Sequence, residues 1–233
     1  MKRLIVIAGA GAYPRLVVEG AKRAGVPCVD VLAVKGSTAR ATCAAADHVH
    51  WEAVTQAAQG IRWIGAGGYD GAILAGQISP MSLFRGRFDA ETKSWLAELP
   101  AKNAHSIFGK LIEKLTAAGA HVLPASLYMD GHLPGVGPLT DRDLTDRERA
   151  DARHAAQVAH DMGLHDVGQT VVVKGGVVLA VEAFEGTNAA IRRGGKLGGK
   201  GSLVFKAARE GHDMRFDIPV VGLKTLKVMR RAG

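Results

Sequence analysis

Glu182 and Glu185 stand three residues apart behind an apolar run, Asp217 follows downstream, and Arg192, Arg193, Lys206 and Arg215 are interspersed with them. Carboxylates hold a divalent cation, while lysine and arginine neutralise phosphate oxygens. The set therefore suits hydrolysis of a phosphoanhydride, which needs charge neutralisation, a positioned water and a stabilised leaving group. The same residues would also serve as salt bridges on a solvated β surface, and spacing alone does not separate the two readings.

The elements that must position these groups come next. Val171 to Val173 and Val177 to Val181 are β-branched runs joined by Lys174-Gly175-Gly176, the pattern of a β-hairpin. Folding it back brings Asp166 and Gln169 on one flank towards Glu182 and Glu185 on the other. None of these four polar residues is needed to pack an apolar ribbon.

Two glycine motifs point to ligand contact in the first half. Gly9-Ala10-Gly11-Ala12-Tyr13-Pro14 follows the run Leu4 to Ala8, so a sharp turn leads into a helix whose first amides face an anion. Gly11 and Ala12 are the candidate contacts, and a plain strand-to-helix turn with Pro14 at the first helical position fits equally. A dinucleotide fingerprint would need a glycine at Pro14 and an acid at the end of the second strand, whereas Asp30 lies near its start, so NAD is disfavoured. Gln77 and Ser79, just beyond the strand Gly71 to Ala75, are further candidates at the strand's carboxyl end.

Other features carry less. Gly194 to Gly201 reproduces the spacing of a P-loop up to its lysine, but Gly201 stands where Ser or Thr must hold magnesium, and it reads as a basic loop. His48 and His50 lack a third ligand at a zinc-like interval, and Cys28 and Cys43 have no metal spacing or disulfide framework, so surface or packing roles for the histidines and buried thiols are expected.

The 233 residues are 47% hydrophobic and 22% charged, enough for one large or two modest domains, and no apolar run is long enough to span a bilayer as a helix. A net charge of +8 favours an anionic partner, while aromatics at 5% and scattered argue against a nucleic-acid stacking surface. The expected fold class is α/β: a Rossmann-like parallel sheet domain over 1–128, a Gly/Pro-rich linker over 129–140, and a mixed α/β domain over 141–233. Helices are expected at Pro14 to Ala24, Ile107 to Ala118, Asp141 to Gly163 and Thr187 to Arg193. A loop is expected at Gly194 to Ser202, and strands at Leu203 to Lys206 and Phe216 to Gly222.

Taken together, Asp166-Val167-Gly168-Gln169, Ala180 to Thr187 (AVEAFEGT), Arg215-Phe216-Asp217-Ile218-Pro219 and Gly9 to Pro14 resemble, in order and across almost the whole chain, the UDP-2,3-diacylglucosamine pyrophosphatase family of the LpxI type. The resemblance implies a cytoplasmic, Mg²⁺-dependent hydrolase of lipid A biosynthesis that converts UDP-2,3-diacylglucosamine to UMP and 2,3-diacylglucosamine 1-phosphate. It implies a substrate cleft between two domains; peripheral contact with the inner face of the inner membrane and a homodimer are left open, and no nucleic-acid partner is expected from the composition. The family's essential aspartate falls on Asp217, which with Glu182 and Glu185 is the expected metal set. Gly11, Ala12, Gln77, Ser79, Gln169, Gly186, Thr187, Arg192, Lys206 and Arg215 are the expected substrate contacts. Asn188 stands where an aspartate is common in the family and His212 where a glutamine is. The chain stops at Gly233, short of the final strand and helix expected for such a protein. The alternative is a nucleotide-sugar or lipid-phosphate binding module without turnover.

Overall fold

The computed structural model describes residues 1–78, 86–101, 103–208, 211–216 and 218–233. The chain divides into two compact units: unit 1 is Met1–Leu133 with Met214–Phe216, and unit 2 is Pro134–Asp213 with Asp217–Gly233.

In unit 1 the apolar runs become β1 (Arg3–Ala8), β2 (Cys28–Val34), β3 (Val49–Glu52), β4 (Gly71–Ala75) and β5 (His121–Val122). They form one parallel sheet in the order β3-β2-β1-β4-β5. Near-continuous apolar strands suit this sheet because both of its faces are covered. Ile5 and Ile7 of β1 pack in a core with Ile61 and Ile64 of α3 (Ala57–Ala66) and with Ile112 and Leu115 of α5 (Ala104–Ala117). Leu4 and Val6, one residue out of phase and so on the opposite face, are also fully buried, as are Val17 and Val18 of α1 (Tyr13–Arg23). Two further helices, α2 (Arg40–Ala45) and α4 (Ala90–Ala97), complete the described elements of this unit. α5 begins three residues before the expected Ile107, because Asn103 caps it by accepting from the Ser106 amide at 2.9 Å.

Unit 2 is a three-stranded antiparallel sheet in the order β7-β6-β8, made of β6 (Thr170–Lys174), β7 (Val177–Val181) and β8 (Leu203–Lys206). The expected hairpin is present. Its two turn residues, Gly175 and Gly176, have φ of 59° and 80°, the positive pair that a tight two-residue connection requires. Buried Asp151 of α6 (Asp146–Gly163) accepts from both of their amides, at 2.8 and 2.6 Å. Alternation along β6 makes two cores. Val171 and Val173 pack with Ala155 of α6, while Val172 packs with Ile191 of α7 (Thr187–Gly198) and Val228 of α8 (Leu223–Ala232).

Two expectations are corrected here. Gly194 to Gly198 is helical rather than a loop, since α7 runs on to Gly198. The glycines serve close packing: a Cβ on Gly194 would lie 2.6 Å from the Val172 side chain, and one on Gly195 would lie 2.5 Å from Ala232. Phe216 to Gly222 is not a strand among its described residues, and α8 follows directly. The β-branched Ile218, Val220 and Val221 have no described strand partner, so their propensity finds no ladder to join. Among the described residues, no helix is long and apolar enough to cross a membrane.

Candidate functional site

The hairpin sets up a polar cluster in unit 2. Beyond β7, the Glu182 amide still donates to the Thr170 carbonyl at 2.8 Å, which fixes Glu182 beside the start of β6. Gly168 makes this approach possible: its φ is +50°, and a Cβ there would lie 2.0 Å from the Glu182 carbonyl oxygen. Gly186 then turns with φ of 82°, and α7 starts at Thr187.

Thr187 is the hub. Its hydroxyl donates to the Glu182 carboxylate, 2.9 Å from Oε1 and 3.0 Å from Oε2, and accepts from Lys206 Nζ at 3.0 Å. Lys206 also donates to the Thr170 hydroxyl at 3.4 Å, and its Nζ lies 3.7 Å from Glu182 Oε2. The Gln169 amide donates to the same oxygen at 3.4 Å. Both charged side chains are only 12% exposed, so their fields are weakly screened and they hold one another in place. Beside them, the buried Oδ1 of Asn188 has no hydrogen-bond partner among the described residues. No side chain caps α7, and its first turn has no acidic residue, so its first amides are left for another acceptor. An anion-seeking helix end, a lysine and an orphan oxygen acceptor thus lie within two residues of Thr187 or bonded to it.

The remaining expected residues fall into three groups. Glu185 is not part of the Glu182 cluster in its hydrogen bonds. It accepts from Arg193 at 2.6 Å and from the Ala183 amide at 3.2 Å, and the Arg193 guanidinium holds its carboxyl below the ordinary range. Arg192 is exposed on α7, and Arg215 is half-buried in unit 1. Asp217 and Ser79 lie outside the described residues. The threonine at 170 escaped the sequence reading. Its only signal is a hydroxyl at the head of the apolar run Val171 to Val173.

Unit 1 joins two motifs that lie far apart in the sequence, Ala10 and Gln77 being 67 residues apart. The strand order reverses between β1 and β4, so the loops leaving their carboxyl ends flank a topological switch point, where open α/β sheets bind ligands. Ala10 and Gln77 exchange backbone hydrogen bonds of 2.8 and 3.1 Å there. A Cβ on Gly9 would lie 2.6 Å from the Gln77 carbonyl oxygen, and one on Gly76 would lie 2.6 Å from that of Ala10. Gly11, with φ of 98°, and Ala12 are exposed at the start of α1, which no side chain caps. Buried Thr38 fastens the neighbouring strand end by accepting from the Val34 amide at 2.8 Å and donating to the Ala8 carbonyl.

Two known domains match the chain one after the other. The LpxI N-terminal domain matches residues 3–132 and the LpxI C-terminal domain matches residues 135–233. The chain belongs to the LpxI family. The UDP-2,3-diacylglucosamine pyrophosphatase LpxI of Caulobacter vibrioides is 34% identical to this LpxI-family chain over 124 residues, which span 49% of the chain and 42% of that protein. Of solved structures, a phosphoribosylglycinamide synthetase from Anaerococcus prevotii matches over 90% of this chain and 46% of its own, with 12% identity and a TM-score of 0.32. A likeness that loose says nothing about the chemistry of the LpxI-family chain.

Proposed function

We propose that this chain hydrolyses the diphosphate bond of UDP-2,3-diacylglucosamine, giving UMP and 2,3-diacylglucosamine 1-phosphate in lipid A biosynthesis. The observation that carries the reading is the match to both LpxI domains in order over 3–132 and 135–233, together with a relative that bears the name of that activity. The chemistry of unit 2 supports it. A water oxygen bonds to one phosphorus and gives up a proton to solvent, the anhydride P–O bond breaks, and the departing phosphate oxygen keeps the bonding pair. Lys206 and the uncapped start of α7 are suited to the negative charge on these oxygens. Thr187 holds Lys206 and Glu182 in one orientation, so neither needs to reorganise as charge moves. At the carboxyl edge of unit 1, the amides of Gly11 and Ala12 are suited to the nucleotide's phosphates.

Mg²⁺ is part of the proposal. Glu182 and the orphan Asn188 Oδ1 are hard oxygen donors of the kind this ion prefers, and Asp217 joins them by resemblance to the family. When bound, the ion would neutralise diphosphate charge. Glu185 would join the set only by giving up Arg193. We place the enzyme in the cytoplasm, with peripheral contact at the inner membrane as its source of acyl chains, and a net charge of +8 favours an anionic leaflet.

The test is UMP release from UDP-2,3-diacylglucosamine with and without Mg²⁺. Asp217→Ala and Lys206→Met should each lower kcat at least about 100-fold with the fold intact. Wild-type rates in both variants would sink these assignments. Tight substrate binding by the wild-type chain, with no UMP formed, would replace the enzyme by a binding module.

A further inference from the structure

The end of the unit 1 sheet opposite the glycine loops holds a second polar cluster. Cys28, Asp30 and His48 come from β2 and the entry to β3, and one ligand atom from each lies within 4.8 Å of the others; they are the only such His, Cys, Asp or Glu group of three or more among the described residues. We propose that these three residues bind a divalent transition metal of the zinc class, away from the diphosphate chemistry.

The two oxygens of Asp30 are used differently. Oδ2 accepts from Tyr69 at 2.9 Å and from Arg3 at 3.1 Å, and Arg3 is further anchored by donating to the Gly67 carbonyl. Oδ1 is turned to His48 Nδ1 at 2.9 Å and to Cys28 Sγ at 3.4 Å. One oxygen is thus clamped by two hydrogen-bond donors, while the other meets a thiol and an imidazole that can both ligate a metal. Carboxylate ligands are held in this way by hydrogen bonds to the oxygen turned away from the ion. A tetrahedral ion with bonds of about 2.0 to 2.3 Å needs ligand atoms about 3.3 to 3.8 Å apart, so the 3.4 Å Asp30–Cys28 separation already fits and the 2.9 Å Asp30–His48 contact must open slightly as the imidazole swings to the ion. His48 can move in this way, because its side chain is 74% exposed while Asp30 is 2% exposed. The open side leaves room for a solvent ligand.

Donor type selects the ion. Thiolate, imidazole and carboxylate together suit Zn²⁺ or Co²⁺ and not Mg²⁺, which prefers oxygen alone. On binding, Cys28 loses its proton to solvent and His48 offers Nδ1 with its proton on Nε2. Thiolate and carboxylate then neutralise the dication. Arg3 is left as the uncompensated charge on a side chain 42% exposed. Burial and Asp30 raise the Cys28 thiol above its ordinary pKa, so without metal it is a thiol that hydrogen-bonds to the carboxylate.

The test is titration of the reduced, metal-stripped full chain with Co²⁺, followed by Zn²⁺. Expected are one ion per chain, a near-ultraviolet thiolate charge-transfer band, and loss of that band on adding Zn²⁺ but not Mg²⁺. Cys28→Ser should abolish the band and weaken binding about 100-fold, Tyr69→Phe should weaken it about tenfold, and Cys43→Ser should change neither. No thiolate band in the wild-type protein, or an undiminished band in Cys28→Ser, would overturn the proposal. Should Cys28→Ser fail to fold by circular dichroism, His48→Ala at its exposed position decides instead, and Co²⁺ binding as tight as wild type would overturn the proposal. None of these readouts uses the hydrolase activity, so failure here leaves the proposed function standing.

Discussion

The two edges of the unit 1 sheet are built from opposite materials. At the carboxyl edge the groups that meet are backbone: Gly9 and Gly76 let Ala10 and Gln77 bond across the switch point, and no charged side chain takes part in that bridge. At the amino edge they are side chains, with Arg3, Cys28, His48 and Tyr69 all gathered on the carboxylate of Asp30. A backbone edge is defined by what must be absent, namely a Cβ. A side-chain edge is defined by what must be present. The two should therefore fail under different substitutions.

The largest expected loss is at the backbone edge. Gly76→Val forces a side chain into φ of +84° and places Cβ 2.6 Å from the Ala10 carbonyl oxygen, so urea denaturation should show a loss of about 3 kcal/mol or more. A loss below about 1 kcal/mol would mean that the two loops are not locked together. At the side-chain edge, Asp30→Asn keeps the shape but removes the charge that Arg3 and Tyr69 address, and about 2 kcal/mol should be lost. A neutral result would show that the cluster does not stabilise the fold.

Acidification sharpens the contrast, because the Ala10–Gln77 bridge is backbone and the Asp30 cluster is titratable. Burial alone would raise the Asp30 carboxyl, but hydrogen bonds from His48, Tyr69, Cys28 and Arg3 together hold it below its ordinary 3.8. A carboxyl depressed in the folded state contributes stability that is complete above the unfolded value and is lost as pH falls through the folded one. Thermal melts should therefore show wild type losing its advantage over Asp30→Asn only below about pH 4. An advantage that disappears between neutrality and about pH 5 would assign the effect to another group. The smallest effect belongs to His48→Ala. Without metal its contact with Asp30 is an exposed one, and the loss should stay below about 1 kcal/mol.

The same contrast explains which parts of the protein were legible in its residues. The glycine turn at Gly9 to Pro14 and the Gly175-Gly176 hairpin are contiguous, and the conformation each needs is written in residue type. The Thr187 hub was half legible, since Glu182, Gly186 and Thr187 adjoin, while Thr170 and Lys206 reach it only through strand pairing to β6. Gly194 to Gly198 misled because glycine breaks isolated helices, whereas here two of these glycines fit α7 against Val172 and Ala232. The buried-thiol expectation failed for Cys28, whereas His48 is exposed as a surface role requires. Cys28 is half-buried rather than buried, and His48 has two ligand-type neighbours that no linear spacing reveals.

By itself the sequence determined the parallel sheet, the hairpin and the family's motifs, because alternation, turn chemistry and short contiguous signatures act between neighbours in the chain. Only the tertiary structure decided that Lys206 bonds to Thr187 beside Glu182, that Glu185 pairs with Arg193, and that Cys28, Asp30 and His48 converge. The first and last of these contacts depend on strand order and register, which bring distant residues within hydrogen-bonding reach, and the Glu185–Arg193 pair depends on how the Gly186 turn sets Glu185 beside α7.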